Sequence, residues 1–200
     1  MKQNKVSAVV LAGGGSTRMG QNKALLQLGE KTMIERIVDK LRPLFEEIIL
    51  VTNHPEEYPM LKDVEFVRDK MCLEDKNSML GIYTGLSTTK KSHILALPCD
   101  MPFLNQDLIK YMISQLGEED IMVPYIKGFY QPLHAIYAKK CLATMENELK
   151  NRNYKMISFL KKMNTKIIGE EKITNFSQDL ACFRNVNTYE SYLDIKDYWG

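Results

Sequence analysis

Residues 6 to 23 hold the densest set of groups suited to gripping a polyphosphate. Val6 to Leu11 is short, apolar and rich in β-branched side chains, which predicts a buried strand. Gly13, Gly14 and Gly15 follow directly, so backbone N–H groups just past that strand can approach a ligand with no Cβ in the way. Arg18 and Lys23 then add two fixed positive charges beside the loop. Amide dipoles and cations converging on one loop are what a triphosphate requires. Two familiar glycine motifs are excluded. A Walker A loop needs Lys-Ser/Thr after its last glycine, whereas Gln21 follows Gly20. The dinucleotide fingerprint fails because Arg18 occupies the place of its third glycine.

Carboxylates and amides form the second set. Asp100 ends an apolar run and stands in Pro98-Cys99-Asp100-Met101-Pro102, where the prolines restrict the backbone around it. It is the candidate Mg²⁺ ligand, since that ion takes one or two carboxylates and completes its shell with phosphate oxygens and water. Capping the helix that follows is the other use open to it. Asp69 ends a further apolar run and suits a base, a ribose or a supporting role. Asn185 and Asn187 alternate, so a strand would place both amides on one face, able to hold a polar acceptor or a phosphate. A turn before the last helix would use them equally well. His134 lies in an apolar stretch and reads as a core histidine, while His54 and His93 belong to no constellation. No Ser/His/Asp or Cys/His set is apparent.

These groups need a frame that gathers strand ends. Apolar runs at 48–52, 64–67, 94–97 and 121–123 predict four further strands. Met33, Ile34, Ile37, Val38 and Leu41 recur at helical spacing, with Thr32 and Glu35 placed as a capping box and Pro43 as the stop. Helices are also predicted over 78–89 and, capped by Asn105, through Leu116. Strand–helix alternation with short connections implies right-handed crossovers and a mainly parallel α/β sheet, which binds ligands at the carboxyl ends of its strands. Gly13, Asn53, Asp69 and Asp100 all fall at such ends. After residue 124 the pattern loosens: a strand over 133–137, helices near 139–151 and 155–163, a strand at 166–168, an extended piece over 183–187 and a last helix capped by Thr188. A mixed sheet with an antiparallel member is expected there.

Two hundred residues, 44% hydrophobic and 26% charged, suit one globular domain with a substantial core. A net charge of +2 lacks the basic excess of a nucleic-acid binder. No apolar run approaches the ~20 residues that span a bilayer, and the N-terminal run is short for a signal peptide. The expectation is a cytoplasmic protein without nucleic-acid or membrane partners. Cys72, Cys99, Cys141 and Cys182 are widely spaced, with neither a zinc-site nor a disulfide pattern.

Leu11-Ala12-Gly13-Gly14-Gly15-Ser16-Thr17-Arg18-Met19-Gly20, followed by Lys23, resembles the signature of nucleotidyltransferases. In this form it is similar to the molybdenum cofactor guanylyltransferases. The likeness continues at Pro98 to Pro102, at Gln131-Pro132-Leu133-His134-Ala135 and at Asn185-Val186-Asn187-Thr188, in order along nearly the whole chain. It implies a Rossmann-like three-layer fold, with residues to about 124 binding nucleotide and about 125–200 binding the acceptor. It also implies transfer of GMP from GTP to molybdenum-bearing molybdopterin with Mg²⁺, giving the guanine dinucleotide cofactor and pyrophosphate. Carried over by position, Leu11, Ala12, Gly13, Lys23, Asn53, Asp69 and Asp100 bind GTP, Asp100 also binds the metal, and Asn185 and Asn187 serve the pterin side. Arg18, Lys23 and Asp100 are the catalytic set. Related cytidylyltransferases carry alanine where this chain has Gly13, and the missing methyl leaves room for a purine. The sequence departs from the family pattern at Gln21-Asn22, at Ser78 to Gly81 and at Gln131. The alternatives are a cytidylyl- or sugar-phosphate nucleotidyltransferase on the same scaffold, and a non-catalytic GTP- or cofactor-binding carrier.

Overall fold

The computed structural model describes residues 5–13, 22–71 and 77–199. Arg18, Gly14, Gly15 and Cys72 therefore lie outside the described residues. In chain order the strands are β1 (Val6–Leu11), β2 (Gln27–Leu28), β3 (Lys31–Thr32), β4 (Ile48–Val51), β5 (Glu65–Val67), β6 (His93–Pro98), β7 (Ile121–Ile126), β8 (Phe129–Tyr130), β9 (Ala135–Ala138) and β10 (Thr165–Gly169). The α-helices are α1 (Met33–Leu41), α2 (Ser78–Thr88), α3 (Gln106–Ser114), α4 (Leu142–Lys150), α5 (Met156–Leu160), α6 (Glu170–Ile173) and α7 (Tyr189–Lys196). An eight-stranded sheet runs β10-β7-β9-β6-β1-β4-β5, with β8 added to β7. β6, β1, β4 and β5 are parallel to one another, and β9 is antiparallel to both β6 and β7. Among the described residues no helix is long and apolar enough to cross a membrane.

Burial on both faces explains why the central strands read as unbroken apolar runs. Alternate residues feed two cores. Ala8 and Val10 of β1, Ile48 and Leu50 of β4, and Leu95 and Leu97 of β6 join the core under α1 and α3. Val9, Ile49, Val51, Ile94 and Ala96 point the other way, into the core under α2, α4 and α5. This is the three-layer α/β arrangement expected. The expected capping box forms: Thr32 N–H donates to Glu35 Oε2 at 2.8 Å, and Thr32 Oγ1 accepts from Glu35 N–H.

Several boundaries differ from expectation. β9 starts at Ala135, because Pro132 and Leu133 form a strap outside the ladder, pinned by Tyr137 Oη donating to Pro132 O at 2.7 Å. The extended piece over 183–187 is not a strand. Ala181–Phe183 is a 3₁₀ turn, and the residues after it pair with no strand. The β2–β3 hairpin, unexpected, turns through Gly29, whose φ of 65° suits glycine. Tyr192 Oη of α7 donates to Gln27 O of that hairpin at 2.9 Å, docking the C-terminal helix beside the turn that carries Lys23.

α2 lies close against β1 because Gly85 has no side chain: a Cβ there would meet Val9 Cγ1 at 2.4 Å and Cγ2 at 2.8 Å. Gly85→Ala should lower stability, since overpacking a core typically costs ~1–3 kcal/mol while the gain in helix propensity is at most ~1 kcal/mol. The denaturant midpoint should fall, and Val9→Ala in the same chain should restore part of it.

Candidate active site

The parallel strands end at one rim, and the residues after them line a cleft of about 310 Å³. Asp100 follows β6, Gly13 follows β1, and Asp69 follows β5. Leu11, Val51 and Pro98 form the strand-end floor, and Asn77, Ser78 and Gly81 bring the start of α2 to the same space. The strand partnerships continue to the rim through Ala12 N–H to Val51 O and Thr52 N–H to Val67 O, both 2.9 Å. β6 and β5 flank β1 and β4, so Asp100 and Asp69 stand three strand spacings apart, roughly 14 Å.

Asp100 is the most exacting group in the cleft. Its Oδ1 is buried and takes no hydrogen bond from the described residues. Burial pushes the carboxyl above its ordinary value of 3.8, while the ammonium of Lys23 pulls the other way. Its backbone is well tied, because Asp100 O accepts from Val186 N–H at 2.9 Å. An orphaned carboxylate oxygen at the mouth of a cleft fits a cation that arrives with its other ligands. Among the described residues no group of three or more His, Cys, Asp or Glu could hold a metal alone. That suits an ion completed by phosphate oxygens and water. Neighbouring Cys99 is also part of the lining, with its thiol pushed up to about 12 by burial, and is therefore a neutral wall.

Lys23 opens a 3₁₀ turn, Lys23–Leu25, capped by Asn22, whose Oδ1 accepts from Ala24 N–H at 3.1 Å. Asn22 Nδ2 also donates to Tyr58 Oη at 2.8 Å, which anchors the turn to the body of the fold. Lys23 Nζ donates to Asn187 Oδ1 at 3.0 Å across the cleft. Of the asparagine pair, Asn187 lines the cleft, whereas Asn185 is exposed and is not among its lining residues. Val186 between them is fully buried. The same-face argument for the pair assumed a strand, and no strand forms.

Gly13 also lines the cleft, and among the described residues a Cβ built there would meet only Val51 O, at 4.0 Å. Packing against the described residues does not demand glycine there. Asp69 lines the cleft too, but Asn53 does not; Asn53 instead binds Asp69. Ala12 lies between Leu11 and Gly13, with its N–H spent on Val51. Ser78 and Gly81 line the cleft, in the segment where the sequence departs from the family pattern, and Asn77 and Leu133 are lining residues that the reading of the sequence did not assign to the site. Leu133 stood in the Gln131–Ala135 motif, and Asn77 carried the signal of a capping residue before an apolar helical run; its Oδ1 accepts from Leu80 N–H at 2.9 Å.

His134 is fully buried against Phe183, ring centroids 4.6 Å apart, and neither ring nitrogen has a partner among the described residues. Burial pulls it down to about 4, so the ring is neutral and serves packing rather than proton transfer.

Two measurements follow from these shifts. A raised carboxyl favours the folded state when protonated, a benefit present below about pH 3.8 and lost as pH rises through the folded value. At pH 7 the Asp100 charge is thus a cost, and Asp100→Asn should raise the melting midpoint of the ligand-free protein; ~1 kcal/mol relieved corresponds to ~2–4 °C. His134 has the opposite sign: stability is full above pH 6.5 and is lost as pH falls toward about 4. Relative to wild type, His134→Leu should gain stability over that window, up to about 3 kcal/mol in urea unfolding.

A family model described as a MobA-like NTP transferase domain matches residues 8–166. A protein of Natranaerobius thermophilus described as "Probable molybdenum cofactor guanylyltransferase" is 37% identical over 200 residues, covering 98% of each chain. A "Molybdenum cofactor guanylyltransferase" of Syntrophotalea carbinolica is 34% identical over 188 residues, 93% of this chain and 88% of that one. Among solved structures, molybdopterin-guanine dinucleotide biosynthesis protein A from Archaeoglobus fulgidus superposes with a TM-score of 0.83 at 23% identity, covering 96% and 97% of the two chains.

Proposed function

The chain belongs to the MobA-like NTP transferase family, and on that premise we propose that it transfers GMP from GTP to molybdenum-bearing molybdopterin, releasing pyrophosphate. The observation that carries this reading is the orphaned, buried oxygen of Asp100 opposite Lys23, in one cleft with Gly13 and Asp69.

The reaction is an in-line displacement. A terminal phosphate oxygen of the acceptor forms a bond to the α-phosphorus of GTP as the bond to the bridging oxygen of the β-phosphate breaks. The attacking phosphate is already an anion, so no general base is needed, in keeping with a neutral, buried His134. What remains for the protein is positioning and charge neutralisation. Lys23 supplies a cation at the phosphate end, and by its place in the motif Arg18 supplies a second. Asp100 is the residue that would hold Mg²⁺, which when bound withdraws charge from the phosphate oxygens. Leu11, Ala12 and Gly13 border the nucleoside. The N-terminal part of the chain, to about residue 124, thus serves the nucleotide. The part from about 125 serves the acceptor through Leu133 and Asn187, which line the same cleft. Asn187 is the stronger of the two asparagine candidates for the acceptor, and Asn185 is retained only as a contact at its rim.

Pyrophosphate release with a molybdopterin acceptor and Mg²⁺, compared across GTP, CTP, ATP and UTP, tests the assignment. GTP should be the productive nucleotide, and Asp100→Ala should slow turnover by about two to three orders of magnitude, as for loss of one strong electrostatic contact. CTP as the preferred donor, or nucleotide binding without pyrophosphate release, would overturn it.

A further inference from the structure

Two segments carry the opposed charges of the cleft, and the chain from Val186 onward touches each of them twice. At the start of that stretch Val186 N–H donates to Asp100 O at 2.9 Å, and Asn187 Oδ1 accepts from Lys23 Nζ at 3.0 Å. At its other end a 3₁₀ turn over Asp197–Trp199, just after α7, brings Trp199 back to the same pair. The Trp199 ring stacks on Phe103, three residues after Asp100, with centroids 4.7 Å apart and planes at 24°. Arg36 Cζ lies 4.9 Å from the Trp199 ring centroid, and Arg36 Nε donates at 2.6 Å to Leu28 O in the hairpin after Lys23. The Trp199 backbone also meets that hairpin: a Cβ on Gly29 would stand 2.4 Å from Trp199 O. Tyr198 adds T-shaped contacts to Phe103 at 5.5 Å and to Trp199 at 5.4 Å.

We infer that Trp199 is a positioning residue that clamps the hairpin behind Lys23 to the turn behind Asp100, and so fixes the spacing of the two charges. Its consequence for turnover rests on the guanylyl transfer proposed above. Trp199 is not among the residues that line the cleft, so it acts only through Phe103 and the hairpin. The backbone at both places calls for such a tie. Residues 99–105 form no helix or strand. The β2–β3 hairpin is two residue pairs long and joins no other strand, a length that is marginal without outside support. A flat ring stacked on one segment, with a cation from beside the other over its face, ties the two without consuming any group that the cleft uses. The spacing matters because a misplacement of ~1 Å at a reacting centre can cost ~100-fold in rate.

Hydrogen exchange of the intact, ligand-free chain tests the clamp itself. The reporter amides are Leu25 and Leu26, which donate to Asn22 O and Lys23 O in the Lys23 turn, and Val186, which donates to Asp100 O. Trp199→Ala should speed exchange at both places by ~10-fold and leave the central amides of β1 and β4 unchanged. Trp199→Phe keeps a ring for Phe103 and Arg36, and should restore most of the protection. Unchanged exchange at either place, or a loss spread evenly over the chain, would overturn the inference.

Pyrophosphate release from GTP, measured well below the melting midpoint of each variant, reads the consequence for turnover. Trp199→Ala should lower kcat ~10- to 100-fold while KM for GTP moves by less than ~3-fold, the mark of lost alignment rather than lost binding. Trp199→Phe should recover kcat to within ~3-fold of wild type. In a Lys23→Ala chain the further cost of Trp199→Ala should shrink to ~3-fold or less, because a group that the clamp positions is gone. An undiminished loss there, or wild-type kcat in Trp199→Ala, would overturn the inference and leave the proposed function intact. Should Trp199→Ala fail to fold, Phe103→Leu removes the stack from the other side and must give the same pattern. Wild type that releases no pyrophosphate from GTP would instead remove the proposed function, and the exchange measurement would still decide on the clamp.

Discussion

A carboxylate held partly out of water, with one oxygen lacking a donor, sets the terms for the rest of the cleft. Asp100 is in that position because β6 sits in the middle of the sheet, paired with β1 on one side and β9 on the other. Its side chain lines the cleft beside Lys23 while its carbonyl receives Val186 N–H from the far end of the chain. The same residue therefore joins the two halves of the site. Lys23 closes the circuit, lowering the cost of the Asp100 charge and donating to Asn187. The Tyr192–Gln27 bond braces both contributors, since it fastens α7, just after Asn187, to the hairpin just after Lys23. An arrangement of this kind meets its electrostatic cost during folding, so less reorganisation is needed when charge develops on a substrate.

The strand ends were legible in the sequence for one physical reason. Parallel strands buried on both faces become short apolar runs, and such runs announce where they stop. Gly13, Asp69 and Asp100 could be assigned to one rim on that basis alone. α1 was legible because Thr32 and Glu35 form a local, self-contained device whose geometry depends on no distant residue. Asn53 was placed correctly at the end of β4, but spacing says nothing about what an amide is bonded to, and its partner is sixteen residues away.

The C-terminal half was harder to read because its geometry is set by tertiary contacts. Asn185-Val186-Asn187 has the alternation of a strand, yet Val186 gives its N–H to Asp100 rather than to a neighbouring strand. Leu133 is apolar and adjoins an apolar strand, so it looks like part of β9 until the cleft is seen to need a wall there. In both places the residues nearest the ligand space break the regular element that the pattern predicts. Local rules are most often violated at the site because the site uses backbone and side chains that a ladder would otherwise consume.

Gly13 and Gly85 show why a glycine's meaning depends on its surroundings. At Gly85 a methyl would collide with Val9, so the residue is fixed by how closely α2 must approach β1. At Gly13 the described residues leave room, the nearest atom among them to a Cβ being Val51 O at 4.0 Å. No described residue imposes glycine at Gly13, which lines the cleft. The same logic separates Asp69 from Asn53, because one meets the cleft and the other meets only its neighbour.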